Sequence, residues 1–397
     1  MRNWTITTKL LLCFSLTAVW PSLATTALAS ERNQVLWGGV GLSSPFDNPL
    51  APVANKLMHC ESTDESGRCP IDSYALNVML DADFEKIELQ VAYAEDRINY
   101  LLSPVIDAEW VSHVKLAESS EPYVYQFLIL GAVLIYEVSA EGSQLLSSVP
   151  VSVYATRYFS KPLSLSQRND IFEQMYLGVD SFNGQEGYYN IFNNLADQAA
   201  IHSDAPLKFP GLVKFTGVGY SDDVANTLSN DFDLSAITPV LASWATSNLA
   251  SATGEMIIPF TLGQNDLRLV FRNAETRLTL PEPIYEFDMY VQAVETYKNS
   301  NYTCFDVAAY YGVKTFDDLL LDAPIQHGQD SCAFLQNGTA RPNQIYVANL
   351  LSQIQKVMFS FSRDATDLNK LQSNIVSEKS MITSTIKKLK QDIFYEN

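Results

Sequence analysis

Apolar positions along the chain follow two different periods, and the change between them predicts an α+β fold. Residues 123–138 are rich in aromatic and β-branched side chains, which predicts one long strand or two short strands. Residues 238–252 instead carry apolar side chains at helical spacing, with Pro239 in the predicted first turn and Gly254 after the end. We expect a strand at 256–260 directly after this helix.

The first half of the chain contains a comparable succession of elements. Apolar residues at helical spacing predict a helix over 83–114, with a break at Pro104. Turn signals at 140–142 and 299–301 separate apolar runs and predict antiparallel hairpins. Each half is therefore predicted to contain a strand, a helix, several strands and a final helix, which is an α+β arrangement with helices on one face of a sheet.

Four short sequence matches, in the same order in both halves, predict an internal duplication. Gly39 and Gly41 correspond to Gly217 and Gly219, and we expect all four at turns where a positive φ is allowed. The other matches are 121–127 with 282–287, 132–136 with 293–297, and 169–172 with 343–346. The prediction is two related units, 30–205 and 206–344, with Tyr125 and Tyr285 on equivalent positions.

The C-terminal segment, 345–397, does not follow this plan. Apolar residues recur every three or four positions over 345–361 and again over 368–393, which predicts two long helices. Core packing explains such an apolar stripe. A coiled coil or a partner-binding helix is the alternative, and it would allow oligomerisation through this segment.

Residues 1–29 have the features of a secretory signal peptide. The first nine residues include Arg2 and Lys9 and no acid, and an apolar run follows over 10–20. Ala27 and Ala29 occupy the −3 and −1 positions of a signal-peptidase site, so cleavage after Ala29 is predicted. The apolar run is shorter than the ~20 residues that a spanning helix needs. We expect a periplasmic or secreted protein with no transmembrane segment after cleavage.

Cleavage removes Cys13 and leaves four cysteines, an even number that favours disulfide bonds in an exported chain. Three pairings are possible, and we predict the two local ones, Cys60 with Cys69 and Cys304 with Cys332. The first pair brackets a polar loop. A zinc site at this pair is the alternative, but it would need four ligands and only His59 lies nearby.

Charge excludes several classes of partner. The 397-residue chain has 45 acidic and 26 basic residues and a net charge of −19. Removing residues 1–29 leaves 368 residues with a net charge of −21. A surface this acidic repels phosphate groups, so we expect neither nucleic acid nor anionic lipid as a partner. The 47% of apolar residues, with 20 Tyr and 20 Phe, are typical of a folded globular protein.

Motifs of common enzymes are absent from the sequence. It contains no Gly-x-Ser-x-Gly, no phosphate loop and no His-Glu-x-x-His pair, and neither Gly-Val-Gly segment has the third glycine of a dinucleotide site. We assign no catalytic, cofactor-binding or metal-ligating residue. The four histidines share no pattern and are expected to be structural or solvated: His59, His113, His202 and His327.

Carboxylate pairs are the remaining candidates for chemistry. Asp222 with Asp223, and Asp231 with Asp233, could serve a glycosidase or bind calcium, but such pairs are expected on the surface of an acidic protein.

The predicted β-α-β-β order resembles, at the level of fold, accessory proteins of the bacterial envelope that scaffold secretion or surface-structure assembly. We therefore expect a non-catalytic binding or envelope-assembly protein with protein partners. The alternative is an exported hydrolase that acts on glycans or peptides.

Overall fold

The computed structural model of the protein describes most of the chain from residue 33 to residue 359. The described ranges are 33–43, 50–91, 99–115, 122–179, 181–182, 185–186, 189–201, 213–254, 256–261, 265–299, 302–315, 325–333 and 342–359. The helices are α1 (Pro52–Met58), α2 (Pro70–Asp81), α3 (Leu165–Leu177), α4 (Ile191–Ile201), α5 (Asp222–Ser229), α6 (Leu234–Thr253) and α7 (Pro342–Phe359). The strands are β1 (Asn33–Trp37), β2 (Gly41–Ser43), β3 (Ile87–Gln90), β4 (Asn99–Lys115), β5 (Tyr123–Ser139), β6 (Gly142–Phe159), β7 (Ser181–Phe182), β8 (Gln185–Glu186), β9 (Val213–Tyr220), β10 (Asp266–Val270), β11 (Glu275–Thr279), β12 (Tyr285–Asn299), β13 (Tyr302–Thr315) and β14 (Ile325–Ala333). The protein is a mixed α+β fold.

The larger sheet is built on three long antiparallel strands, β4, β5 and β6. β1 and β2 lie one after the other along the free edge of β4, both parallel to it. The β10–β11 hairpin joins β2 to the start of β6. Because β2 also pairs with β4, six strands form a closed ring: β2, β10, β11, β6, β5 and β4. A separate cluster of apolar side chains fills this strand ring, among them Leu134, Leu269 and Leu278.

The smaller sheet has the strand order β14, β13, β12, β9. Here too an antiparallel meander, β12 to β14, carries a parallel strand, β9, on the free edge of its first strand. Helices α5 and α6 and the β10–β11 hairpin separate β9 from β12 along the chain, and α7 follows β14. In the larger sheet two helices, α1 and α2, also lie between the parallel edge strand β1 and β4, together with β2 and β3, and α3 follows β6.

Helix α6 lies between the two sheets. It packs with residues of β4 and β5 as well as with β9, β12 and β13 in one apolar cluster. Twelve of its 20 residues are buried, which is expected of a helix that has apolar neighbours on more than one side. Helices α1 to α4 cover the opposite face of the larger sheet in a second cluster.

Several predicted elements are confirmed. Residues 123–138 form one long strand, and the strands that flank 140–142 and 299–301 pair as antiparallel hairpins. The helix over 238–252 is present as part of α6, and Gly254 ends it in a left-handed conformation with φ +70°.

Other predicted elements are wrong. The helix predicted over 83–114 is replaced by strands β3 and β4, because the long edge of β5 provides a hydrogen-bonding partner for this segment. Residues 256–260 make only one isolated bridge, from Ile258 to Lys214. Pro239 lies inside α6 and not in its first turn, since the helix begins at Leu234 under the Asp233 cap.

The domain boundary predicted between residues 205 and 206 separates segments that contact each other. The β10–β11 hairpin lies after this boundary but completes the sheet that begins before it. The division into domains stays a prediction. Of the C-terminal segment, α7 is described, and the helix predicted over 368–393 lies outside the described residues, as does the signal peptide. Among the described helices, none is long and apolar enough to cross a membrane.

Candidate functional site

A break between β1 and β2 shapes one mouth of the strand ring. The backbone N–H of Gly38 still donates to the Leu102 carbonyl of β4 at 2.9 Å, and the chain then leaves this edge until β2 resumes the pairing at Gly41. Gly39 has φ +90°, a conformation that residues with a side chain rarely adopt. The backbone N–H of Val40 donates to the Asp72 carboxylate at 2.9 Å, which ties the break to the first turn of α2.

A loop closed by the Cys60–Cys69 disulfide forms the second wall of this mouth. Asp64 organises the loop from within, because its carboxylate accepts the backbone N–H groups of Ser66 and Arg68, each at 2.9 Å. Hydrogen bonds from the Ser66 and Ser73 hydroxyls, together with these backbone bonds, hold the pKa of Asp64 well below its ordinary value. The loop is therefore held by the disulfide at its base and by a hydrogen-bond network inside it.

The turn between β10 and β11 forms the third wall. Phe271 begins the turn, and its backbone N–H donates to the carbonyl of Ala274 at 2.8 Å. Arg272 extends to the disulfide loop, where a guanidinium N–H donates to the Gly67 carbonyl at 3.0 Å. This contact joins residues 205 positions apart in the chain.

Between these walls lies a cavity of about 420 Å³, which we call the mouth cavity. Its apolar lining includes Leu101, Tyr136 and Phe271, and its charged lining includes Arg68, Asp72 and Arg272. Small-molecule sites typically have volumes of about 300–1,000 Å³ and combine an apolar lining with a few polar groups. The mouth cavity has both properties.

Two half-buried carboxyl groups lie on β4, two positions apart. Glu109 accepts the backbone N–H groups of Val53 at 3.1 Å and Ala54 at 2.8 Å, so it caps α1 from a distant strand. It also accepts the Tyr176 hydroxyl at 3.0 Å. Burial raises the pKa of Glu109 to about 7, although these hydrogen bonds act in the opposite direction. Burial likewise raises the pKa of Asp107 to about 6.

Asp107 occupies an irregularity of β4 that has a counterpart in the smaller sheet. The pairing of β4 with β5 shifts at Asp107, and the pairing of β12 with β13 shifts at Gln292. Ser43, just after the first Gly-Val-Gly segment, donates to the Asp107 carboxylate. Ser221, just after the second, donates to the Gln292 carbonyl at 2.8 Å.

The predicted turn glycines occupy different backbone conformations. Gly39 is at a turn with positive φ, as described, whereas Gly41 begins β2. Gly217 and Gly219 lie inside β9, so the turn interpretation is wrong for them. In strand register, however, Gly41 lies opposite Val105 and Gly219 lies opposite Tyr290. Each of these partners lies two residues before the irregular position of its strand, Asp107 or Gln292.

The predicted equivalence of Tyr125 and Tyr285 is wrong. Tyr125 lies on β5, the middle strand of its meander, whereas Tyr285 begins β12, the first strand of the other. Both side chains are buried, and the Tyr125 hydroxyl accepts the backbone N–H of Leu163. The Glu-Pro segments before them matched because both precede an apolar strand.

Of the predicted disulfides, Cys60–Cys69 is present. Cys304 is disulfide-bonded, and Cys332 lies directly opposite it in the register of β13 and β14. The pairing of Cys304 with Cys332 stays a prediction that this register favours.

The other candidate residues have structural contacts. Asp233 caps α6, and Asp231 accepts a hydrogen bond from the Asn343 amide at 2.7 Å. Asp222 and Asp223 lie in the first turn of α5. Across the described ranges, His, Cys, Asp and Glu form no group of three or more that could hold a metal ion.

The remaining histidines do not come together. His59 contacts the carbonyl of Asn55 at 2.9 Å, and His113 stacks on Tyr125 with ring centroids 4.9 Å apart. His202 lies outside the described residues, and His327 is on β14.

Comparison with known proteins adds no assignment, since no protein-family model and no curated protein matches the sequence.

The sequence interpretation missed Arg272, Asp107 and Glu109. Asp107 and Glu109 interrupt an otherwise apolar strand at a spacing of two, and this spacing was the available signal. Arg272 gave no signal, because its place beside the disulfide loop depends on a contact between distant parts of the chain.

Removing the Cys60–Cys69 disulfide should leave a folded protein. Closing a loop of ten residues stabilises a protein by about 2–3 kcal/mol through restriction of the unfolded chain, and the Asp64 network remains. We expect the Cys60→Ser, Cys69→Ser double variant to lose about this much in urea unfolding and to keep its near-UV circular dichroism. Loss of the cooperative transition would show that the loop belongs to the core.

Proposed function

We propose that this is an exported binding or assembly protein of the cell envelope, without catalytic activity. Residues 1–29 are the signal peptide, Ser30 is the mature N-terminus, and the protein works in the periplasm or outside the cell. The mouth cavity is the observation that carries the proposal, because its disulfide-closed wall suits an oxidising compartment and its size and lining suit a ligand.

We further propose that two duplicated units form the chain. The parallel edge strand, the antiparallel meander and the following helix occur twice in the same order. The Ser43–Asp107 and Ser221–Gln292 bonds support the same correspondence, since in both halves the serine after the Gly-Val-Gly segment donates to the shifted residue of the adjacent strand. Within the first of the four sequence matches, this supports the pairing of Gly41 with Gly219 and of Ser43 with Ser221, whereas Gly39 and Gly217 differ in backbone conformation.

A hydrolase is the second candidate, and the raised pKa values of Asp107 and Glu109 favour it. Glycosidases use a pair of carboxyl groups, one of which keeps its proton near neutral pH and acts as the general acid. Against this, Glu109 is already bound to the start of α1 and to Tyr176, and Asp107 to Ser43. These partners give both groups structural roles, so binding remains the better-supported function.

The proposal is tested on protein isolated from its native compartment. Intact mass should correspond to a chain that begins at Ser30 with no free thiol, and photo-crosslinking in intact cells should recover a defined envelope partner. Wild-type protein should show no turnover of chromogenic glycosides or peptides. Turnover that is lost in Asp107→Asn would instead support the hydrolase, and a mass that retains residues 1–29 would contradict export.

A further inference from the structure

We infer that the mouth cavity binds a small amphipathic anion, with Arg272 holding the acidic group and the apolar lining holding the body of the ligand. This inference rests on the proposed binding function and names the ligand class. Three observations support it: the ion pairs of the other hairpin arginines, the net charge of the cavity lining and the apolar side chains of that lining.

Arg272 differs from the other arginines of the β10–β11 hairpin. Arg268 forms an ion pair with Glu275 at 2.7 Å, and Arg277 one with Asp266 at 3.4 Å. In the part of the chain that the structure describes, Arg272 has one polar contact, the bond to the Gly67 carbonyl. That bond orients the guanidinium group and leaves further N–H donors for a carboxylate or phosphate, which arginine binds through two parallel bonds.

The other charges of the cavity balance each other. Arg68 lies 3.5 Å from the Asp72 carboxylate, and Asp72 also accepts the Val40 N–H. This pair is neutral, so Arg272 gives the charged lining a net charge of +1 in a chain whose total is −19. An anion is therefore attracted to this site even though most of the protein surface repels it.

The apolar lining of the mouth cavity indicates that the body of the ligand is apolar. Phe271 is only half-buried, and its ring lies beside Gly41, where an added Cβ would be 3.0 Å from the ring. The lining continues through Leu101 and Tyr136 into the ring interior. An apolar chain or ring placed here would leave water and contact carbon atoms, while its acidic end stays at the Arg272 rim.

Titration calorimetry with four eight-carbon probes tests the inference on the full mature protein. Each probe has eight carbon atoms, and the probes differ in the head group: octanoate, octyl phosphate, octanol and octylammonium. We expect octanoate or octyl phosphate to bind at least about tenfold more tightly than octanol, and octylammonium most weakly. The difference between the two anions identifies the preferred acidic group.

Arg272→Gln should weaken binding of the preferred anion about 10- to 100-fold and leave octanol unchanged. Arg277→Gln, on the same hairpin but paired with Asp266 outside the cavity lining, is the matched control and should bind like the wild type. Phe271→Ala should weaken all probes that bind. Near-UV circular dichroism verifies that each variant is folded.

Three results would overturn the inference. These are failure of both anions to bind at about 1 mM, tighter binding of octylammonium, or an unchanged anion affinity in Arg272→Gln. None of them would alter the mature N-terminus, the envelope crosslinks or the absence of turnover. Failure of this inference is therefore distinguishable from failure of the proposed function.

Discussion

Replacing Trp244 with alanine should lower the free energy of unfolding by about 3–5 kcal/mol, the range for large aromatic side chains in a core. Trp244 is 5% exposed on α6, between the two sheets. Its ring lies 6.3 Å from that of Tyr154 on the larger sheet, and its indole N–H donates to the Leu351 carbonyl on α7 at 2.8 Å. The alanine variant loses contacts to several layers at once.

Trp244→Phe is the matched comparison for this variant, because it keeps most of the packing and removes the indole donor. We expect it to cost about 1–2 kcal/mol. Urea unfolding at 25 °C, followed by far-UV circular dichroism, measures both variants. Equal losses in the two variants would mean that the hydrogen bond, and not the packing between the sheets, makes the contribution.

The stability of the protein should fall as the pH rises from about 4.5 to 7. Burial raises the pKa of Glu109 from 4.5 to about 7, so over this window the folded state retains a proton that the unfolded chain has released. The folded state then binds more protons, and the free energy of unfolding decreases with pH by up to about 3 kcal/mol. Asp107, with its pKa raised to about 6, acts in the same direction.

Glu109→Gln should remove most of this pH dependence, because the amide oxygen can accept the α1 donors without titrating. Glu141→Gln, in the exposed β5–β6 turn, is the control and should follow the wild type. Urea unfolding of the three proteins at pH 5 and pH 8 gives the comparison. If Glu109→Gln kept the wild-type difference between the two pH values, Glu109 would not be its source.

Local patterns in the sequence predicted elements whose neighbours lie close in the chain. The long strand β5 follows from its β-branched and aromatic content, and α6 from its apolar spacing and Gly254. The helix prediction for 83–114 was wrong because Ile87, Leu101 and Leu102 also fit a helical spacing. Only the presence of β5 as a partner decides between helix and strand there.

The candidate site could be predicted only in part. The Cys60–Cys69 pair and its polar loop followed from cysteine spacing, because the two residues are close in the chain. The cavity beside them requires the turn at Arg272 to meet the loop at Gly67, and no local pattern encodes that meeting. Of the sequence matches that predict a duplication, the Glu-Pro pair lies on strands that do not correspond, because Tyr125 is on the middle strand of one meander and Tyr285 on the first strand of the other.

Closure of the strand ring has a consequence for the order of folding during synthesis. β2 lies at residues 41–43, but the hairpin that connects it to β6 ends only at Thr279. Because the chain is synthesised from its N-terminus, more than half of it must be made before all the strands of this sheet are present. Until then the edges of β2 and β6 carry unpaired backbone groups, which invite pairing with other chains. Nascent protein should accordingly depend on a holding chaperone, and truncation before the hairpin should give aggregates.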